Sequence, residues 1–301
     1  MSDPRTVDEL LDSRLMAHLD RLDVVSKKIF SGKIHGERRS RRRGQSVEFA
    51  DFRNYTHGDD LRFVDWNIYA RLDRLFLKMF LEEEDLSLVI AIDASASMDF
   101  GTPNKMQYAR RLAMALGYIG LVNNNRVSLF SFSDDRIERL TGLRGRRRTR
   151  EMGQWLLNLQ PLGVGDFTAA CRAVALGGQG RGVLLLISDF LFSDGFEKGL
   201  RSVAGRGFDV YALQLLAPEE IDPARHGVLG DLRLVDSESA AEVEVTASSA
   251  VVQQYRERLD AHVASLREYC VRRSIAHQVV ETSLQLETLL VDYLRRRGLL
   301  A

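Results

Sequence analysis

Apolar and polar positions alternate along the chain in a way that predicts strands and helices from residue 86 onward. Leu86–Ile92 and Val183–Ile187 are nearly continuous apolar runs, which are typical of strands buried on both faces of a parallel sheet. Residues 104–122 instead repeat apolar positions every three or four residues, which predicts a helix with Asn104 as its N-cap. Strands that alternate with helices at this spacing predict an α/β fold with a doubly wound, mostly parallel sheet and helices on both faces.

The rest of the pattern extends this alternation toward the C-terminus. Further strands are predicted at residues 127–132, 137–140, 208–216 and 275–281, and further helices at residues 149–159, 168–176, 194–204, 249–273 and 285–297. Residues 228–247 interrupt the alternation, because two short apolar segments flank the turn-rich sequence Asp236-Ser-Glu-Ser. This arrangement predicts a β-hairpin insertion.

The N-terminal part of the chain follows a different pattern. Leucines recur at helical spacing in residues 6–29, so we expect an N-terminal helix there. Residues 31–48 are rich in Gly, Ser and Arg, which predicts a loop or an extended arm. We therefore predict two parts: an N-terminal helix and extended segment at 1–84 that packs on the main domain, and the α/β domain at 85–301.

Composition narrows the classes of function. The 301 residues are 45% hydrophobic, and 42 basic side chains balance 42 acidic ones, so no overall field attracts nucleic acid or an anionic membrane. No apolar run approaches the roughly 18 residues of a membrane span, and the N-terminus has no secretory signal. We expect a soluble, cytoplasmic protein in which Cys171 and Cys270 are reduced and buried.

Two predicted core strands end in aspartate at the edge where open α/β sheets bind ligands. The first strand leads into Asp93-Ala-Ser95-Ala-Ser97, and the second leads into Asp189. Carboxylate and hydroxyl oxygens are the ligands that a hard cation such as Mg²⁺ prefers. An ion with so few charged ligands would keep an open position that a carboxylate of another molecule could fill. The alternative is a locally capped turn, since Ser and Asp favour such turns without any ligand.

The D-x-S-x-S string after an apolar strand resembles the metal-ion-dependent adhesion site of von Willebrand factor A domains, whose fold is Rossmann-like. In that family the two serines bind the metal directly, and a threonine from a second loop and an aspartate after the fourth core strand complete the site. The resemblance implies an Mg²⁺ ion, or else Mn²⁺ or Ca²⁺, held by Asp93, Ser95, Ser97, Thr168 and Asp189. The middle position stays open, because the loop Gly165–Thr168 offers Asp166 as an alternative to Thr168.

Motifs farther upstream extend the resemblance to one particular family. Arg43–Phe49, Asp51–Tyr55 and Gly58–Trp66 closely resemble the domain-of-unknown-function family 58, whose members carry a von Willebrand A-like domain and are often associated with MoxR-type AAA+ ATPases. The resemblance runs from residue 35 to the C-terminus and departs at His57, where the family often has proline. It implies a non-enzymatic, metal-dependent adaptor whose protein partner offers an acidic side chain. That partner would be a MoxR-type AAA+ ATPase or its client, in the assembly or maturation of another complex.

The segment at residues 58–71 allows two interpretations, a partner surface or an internal network of charges around a buried Trp66. We favour the network, because Trp66 and Phe63 need burial and the carboxylates beside them then need partners. The ion pairs that we predict in this network involve Asp59, Asp60, Asp65, Arg62 and Arg71.

Two other functions remain as alternatives. A phosphoester hydrolase of the haloacid dehalogenase type also begins with an apolar strand that ends in Asp, but it needs D-x-D, and Ser95 stands at the second position. The chain has neither a P-loop nor a G-x-S-x-G elbow. The basic runs Arg38–Arg43 and Arg144–Arg150 suggest nucleic-acid binding, but we favour solvated loops, because no aromatic residues are interleaved with the arginines.

Overall fold

The structure is a computed structural model, and it describes residues 4, 6–26, 49–80, 86–134, 136–177, 182–227, 230–235, 242–296 and 298–300. The chain forms two units, one of residues 1–29 together with 86–301 and the other of residues 30–85. The predicted arm at 31–48, with its run Arg38–Arg43, lies outside the described residues.

The described strands follow in chain order. They are β1 (Phe49–Asn54), β2 (Phe76–Phe80), β3 (Ser87–Asp93), β4 (Arg126–Ser133), β5 (Arg136–Leu143), β6 (Gly182–Ser188), β7 (Phe208–Leu216), β8 (Gly230–Val235), β9 (Glu242–Ala247) and β10 (Ala276–Glu281). The α-helices are α1 (Val7–Leu10), α2 (Ser13–Leu19), α3 (Trp66–Leu72), α4 (Lys105–Val122), α5 (Thr149–Asn158), α6 (Phe167–Leu176), α7 (Glu197–Val203), α8 (Pro218–Ile221), α9 (Ser249–Arg272) and α10 (Leu286–Thr288).

Six strands of the larger unit form one sheet in the order β10-β7-β6-β3-β4-β5. All neighbours are parallel except β5, which pairs antiparallel with β4 at the edge. Every residue of β3 and β6 is buried, as expected for central strands that are covered on both faces. The predicted α/β fold class is confirmed. The chain passes from β3 to β4 on one side and returns to β6 on the other, which creates a topological switch point at β3.

Alternate side chains of the central strands point into two apolar cores on opposite faces of the sheet. Leu88 and Ile90 face the core formed with α1, α2, α4 and α5, whereas Val89 and Ala91 face the core formed with α6, α7 and α9. Helix α4 packs closely on the sheet at Gly120, where an added Cβ would lie 2.8 Å from Leu88 Cδ2. At the outer edge, β5 exposes charged side chains, among them Arg136, Glu138 and Arg139.

Two predicted helices differ from the structure. The leucine repeat at residues 6–29 forms α1 and α2 instead of one helix, because the Asp12 side chain accepts a hydrogen bond from Leu15 N (2.7 Å) and starts a second helix. Leu10 and Leu19 are nevertheless buried in the core, so the repeat did identify the inward face. The predicted C-terminal helix begins as α10 and continues as a π-helix at Leu289–Leu294.

Other predictions for the larger unit agree with the structure. Asn104 caps α4 by accepting a hydrogen bond from Gln107 N. Strands β8 and β9 form the predicted antiparallel hairpin, although its turn at Asp236–Ser239 lies outside the described residues. Cys171 and Cys270 are buried free thiols. In the described part of the chain, no helix has the length and apolar character needed to cross a bilayer.

The smaller unit contains β1 and β2, a 3₁₀ turn at Leu61–Phe63 and α3. The prediction that Trp66 is anchored in a core was wrong, since 57% of this residue is exposed. Asp65 caps α3 through Asn67 N and Ile68 N, which places Trp66 at the first helical position and turns it outward. Within residues 52–78, whose burial is described, the buried apolar positions are Val64 and Leu77 instead.

The ion pairs of the smaller unit also differ in part from the prediction. Asp60 pairs with Arg62 as expected, with 2.7 Å between Oδ2 and Nη2. The other predicted carboxylates use partners outside residues 58–71, and the predicted pairing of Arg71 is not among the observed contacts of the described residues. The observed pairs are Asp59 with Arg53 (2.8 Å) and Asp65 with Lys78 (3.0 Å).

Candidate functional site

The candidate site lies at the carboxyl ends of β3 and β6, which are hydrogen-bonded neighbours. Asp93 ends β3 and Asp189 follows β6 directly, so the parallel register brings both carboxylates to the same edge of the sheet. Ser188 joins the two strand ends, because its hydroxyl donates to Asp93 Oδ2 (2.6 Å) and accepts from Phe190 N (2.8 Å). Both aspartates are fully buried.

Three oxygen atoms form a row from the D-x-S-x-S segment to Asp189: Ser95 Oγ, Ser97 Oγ and Asp189 Oδ2. Ser95 N donates to Asp93 Oδ1 (2.9 Å), which folds the D-x-S-x-S segment into a tight turn. Ser95 Oγ then lies 3.0 Å from Ser97 Oγ, and Ser97 Oγ donates to Asp189 Oδ2 (2.9 Å). The structure thus brings together four of the five predicted site residues.

Thr168, the fifth predicted residue, has no hydrogen bond to the other four among the described contacts. It is half-buried near the start of α6, whose N-cap is Asp166. Asp166 is exposed and accepts a hydrogen bond from Ala169 N (2.7 Å), so its carboxylate already has a local role. The loop before Thr168 does reach the site, since a Cβ added to Gly165 would lie 3.3 Å from Asp93 Oδ1.

A buried lysine that sequence reasoning missed completes the charge pattern. Lys105, the first residue of α4, places Nζ 2.8 Å from Asp189 Oδ2 and 2.6 Å from Glu220 Oε1. Only 1% of Lys105 is exposed. One signal was available in the sequence, namely a lysine directly after the predicted N-cap Asn104. A cation in the first turn of a helix is unfavourable against the helix dipole, so an acidic partner is favoured there.

The ionisation of this lysine is governed by two opposing effects. Burial disfavours the charged ammonium, but Asp189 and Glu220 outweigh it, and the pKa of Lys105 is raised. Burial also raises the pKa of Glu220, although the neighbouring ammonium of Lys105 acts in the opposite direction. We take both as charged at neutral pH, because the 2.6 Å contact is typical of a charge-assisted hydrogen bond.

Asp93 has an unusually high pKa for a carboxylic acid. Burial, and after it the neighbouring charge of Asp189, raise the pKa of Asp93 to about 7, although hydrogen bonds from Ser188 and Ser95 act in the opposite direction. Two buried carboxylates at one sheet edge repel each other unless a cation or a proton lies between them. Lys105 offsets part of this repulsion through its contact with Asp189, and a proton on Asp93 or a further cation at this edge would offset the rest.

The backbone around Asp189 is held by further polar contacts. Gln214 Nε2 donates to the carbonyl oxygen of Asp189 (3.0 Å), and Gln214 Oε1 lies 3.1 Å from His277 Nε2. The next residue, Phe190, has a positive φ of 57°, which is strained for an aromatic side chain. Its carbonyl oxygen lies 2.9 Å from His262 Nε2. Strain of this kind persists only where the surrounding structure fixes the backbone.

The residues present fit a hard divalent cation by charge and by donor type. With Asp93 ionised, the three carboxylates of Asp93, Asp189 and Glu220 outnumber the one ammonium of Lys105 by two charges. At neutral pH Asp93 is only partly ionised, so the excess of negative charge in this buried cluster lies between one and two. In the described ranges, no group of three or more His, Cys, Asp or Glu side chains is arranged for a metal ion. An ion at this edge would therefore rely on the serine hydroxyls as well as on carboxylate.

Comparisons with known proteins give the family of this chain. Uncharacterized proteins of Mycobacterium bovis and Mycobacterium tuberculosis are 28% identical to this chain over 260 residues, which cover 85% of this chain and 81% of theirs. Among solved structures, the crystal structure of the SpRpn10 VWA domain is similar with a TM-score of 0.40 and 14% identity, over 69% of this chain and 94% of that one. The family model described as protein of unknown function DUF58 matches residues 51–268, and the chain therefore belongs to the DUF58 family.

Proposed function

We propose that the chain is a protein-binding module that holds a divalent cation at the ends of β3 and β6 and uses it to bind a carboxylate of a partner. The observation that carries this proposal is the row Ser95 Oγ, Ser97 Oγ and Asp189 Oδ2, spaced at 3.0 and 2.9 Å beside the buried Asp93. Mg²⁺ is the ion we favour, with Mn²⁺ or Ca²⁺ as alternatives of the same hard class. Thr168 would complete the ligand set.

Charge balance supports this proposal. A divalent ion would favour the ionised form of Asp93 and would then neutralise the two excess negative charges of Asp93, Asp189, Glu220 and Lys105, so that a partner carboxylate would meet no net repulsion. The serine hydroxyls are neutral ligands, and they leave the ion electrophilic enough to accept one more anionic oxygen. The bound ion would supply this Lewis acidity. The chain would orient the ion through side chains that are themselves shielded from water.

We propose a MoxR-type AAA+ ATPase, or a client of one, as the protein partner. Support for this part comes from the family resemblance in the motifs upstream of residue 66 and from membership of the DUF58 family. On this proposal, the chain acts as an adaptor in the assembly or maturation of another complex. Affinity purification of the chain with and without chelator, together with a candidate ATPase, would test it. Recovery of the ATPase at equal yield under both conditions would contradict a metal-dependent contact.

The alternative, a metal-dependent phosphoester hydrolase, has less support. Its nucleophile would be Asp93, but Ser95 stands in place of the second acid that this chemistry uses for proton transfer. Turnover of a generic phosphoester with Mg²⁺, lost in Asp93→Asn, would favour the hydrolase over the binding module.

Thermal or urea unfolding in a Mg²⁺ titration tests the metal site directly. A ligand that binds only the folded state at one hundred times its Kd stabilises by about 2.7 kcal/mol. We expect stabilisation of this order in the parent and none in Ser97→Ala, which removes one hydroxyl of the row. Ser202→Ala is the matched control, because its hydroxyl donates to Gly199 O within α7, away from the site. An equal response of the Ser97 variant and the parent would contradict the proposed ligand set.

Asp93→Ala tests whether the same site captures the partner. We expect Mg²⁺-dependent association in the parent and loss of that association in the variant at matched Mg²⁺ concentration. Binding that is equally strong in both proteins would show that the partner uses another surface.

A further inference from the structure

The small unit carries a second feature that the metal site does not explain. Residues 52–78, whose burial is described, bury few apolar side chains and expose many. The large apolar side chains exposed there are Phe52, Leu61, Phe63, Trp66, Tyr69 and Leu72. Soluble proteins seldom expose so many large apolar residues in so short a stretch of chain unless these residues contact a binding partner.

These side chains stand on a well-defined local scaffold. Asp65 accepts hydrogen bonds from Asn67 N (2.9 Å) and Ile68 N (3.1 Å) and also pairs with Lys78 (3.0 Å), which fixes the start of α3 against β2. Asp60 likewise accepts from Arg62 N (3.0 Å) and holds the 3₁₀ turn. Asp60 and Asp65 thus hold the backbone of this segment in a defined conformation.

Helix α3 presents its exposed apolar residues on one side. Trp66, Tyr69 and Leu72 follow each other at intervals of three, so they are neighbours on the helix surface. The rings of Trp66 and Tyr69 meet edge to face with 6.1 Å between their centroids. Aromatic pairs of this kind are enriched among the residues that contribute most to protein–protein binding. We call Trp66, Tyr69 and Leu72 the α3 face.

The charges around the α3 face are displayed unequally. In the Asp60–Arg62 pair, the guanidinium side chain is 79% exposed, whereas the carboxylate side chain is 22% exposed. In the Arg53–Asp59 and Lys78–Asp65 pairs, too, the basic side chain is more exposed than the acidic one. Arg71 and Arg74 are exposed as well, beside one exposed carboxylate, Asp73. Among the described side chains of residues 52–78, positive charge is therefore displayed more than negative charge.

We propose that the α3 face docks a protein segment in which apolar side chains are flanked by Asp or Glu. The apolar residues of the segment would cover Trp66, Tyr69 and Leu72, and its carboxylates would meet the displayed guanidinium groups. Leu61 and Leu72 favour a protein segment over single-stranded nucleic acid, because aliphatic side chains offer bases no stacking surface. This docking does not depend on the proposed metal site.

Selection of peptides tests the proposal directly, because it requires no identified partner. A phage-displayed library of random 16-residue peptides would be selected on the full chain in the presence of chelator, so that the metal site takes no part. We expect enriched peptides that combine Leu, Phe or Ile with Asp or Glu. Their binding should fall about tenfold or more in Trp66→Ser/Tyr69→Ser. The control Leu176→Ser/Val271→Ser, which alters two exposed apolar residues of the larger unit, should bind as the parent does.

Two further measurements make the outcome decisive. Arg71→Glu/Arg74→Glu changes only exposed side chains, so it should fold even if the aromatic variant does not, and it should also weaken binding about tenfold. A Ser97→Ala variant should bind the peptides normally, which separates this test from that of the metal site. Peptides that bind every variant alike, or that carry no carboxylates, would overturn the proposal. So would binding of an oligo-dT probe that requires Trp66 and Tyr69.

Discussion

At the scale of single residues, the candidate site depends on contacts between distant parts of the chain. Lys105 contacts Asp189 and Glu220, which lie 84 and 115 residues away in sequence. A pattern of apolar and polar positions carries no information about such pairs. The convergence of Asp93 and Asp189 was predictable, however, because parallel strands of one sheet end at the same edge.

Replacement of the buried lysine should destabilise the fold. Lys105→Met leaves Asp189 and Glu220 buried without their cation, and removal of one partner from a buried pair costs about 3–5 kcal/mol. Urea denaturation measures this loss. Lys198→Met is the matched control, since Lys198 is exposed on α7 and its replacement should change stability by less than about 0.5 kcal/mol. Equal stability of the two variants would mean that the ammonium contributes nothing to the cluster.

The raised pKa of Asp93 predicts an unusual dependence of stability on pH. Burial and the neighbouring Asp189 raise it from 3.8 to about 7, so between these values the folded state holds a proton that the unfolded state releases. The free energy of unfolding should therefore fall as pH rises through this window, by at most about 1.4 kcal/mol per pH unit. Urea denaturation in chelator at several pH values, compared with Asp93→Asn, isolates this contribution. A parallel pH dependence in both proteins would argue against it.

At the scale of elements, the strands and long helices were predictable and the short segments were not. Strands β3 and β6 are buried on both faces, which explains their nearly all-apolar sequences. Helix α4 packs on the sheet with one side, which explains its apolar stripe. The predicted burial of Trp66 was wrong, because aromatic residues are buried only on average. That tendency does not hold where an element is too short to enclose a core.

The start of β6 should tolerate no side chain. An added Cβ at Gly182 would lie 1.9 Å from the backbone oxygen of Ser87, so Gly182→Ala must push β6 away from β3. Gly117 on α4 is a useful comparison, because its added Cβ would meet the flexible end of Met152, and alanine also improves helix propensity. We expect Gly182→Ala to cost about 3 kcal/mol and Gly117→Ala clearly less, as measured by thermal unfolding. The reverse order would contradict this packing.

At the scale of the whole molecule, the two units differ in how much apolar surface they bury. The larger unit contains both cores of the sheet, whereas residues 52–78, whose burial is described for the smaller unit, bury only Val64 and Leu77 among their apolar side chains. Local stability follows the amount of buried apolar contact. The composition and length of the chain could not reveal this division, because both refer to the sum of the two units.

Native-state hydrogen exchange should show the difference between the units. Amides of β3 and β6 should exchange only through global unfolding, while amides of β1 and β2 should exchange through local opening at lower free energy. Mass spectrometry of peptides from each segment measures both rates in one sample. Equal protection of the two pairs of strands would mean that the small unit gains stability from a source other than its own core.

The charged outer strand β5 has a consequence for how this protein behaves at high concentration. An open strand edge is a template on which further chains can add, and fibrils grow by this route. Arg136, Glu138 and Arg139 are exposed there, and a copy that added to this edge would have to remove water from these charged groups. Strand addition at the β5 edge is therefore disfavoured, while the strand ends that carry Asp93 and Asp189 stay free to meet another protein.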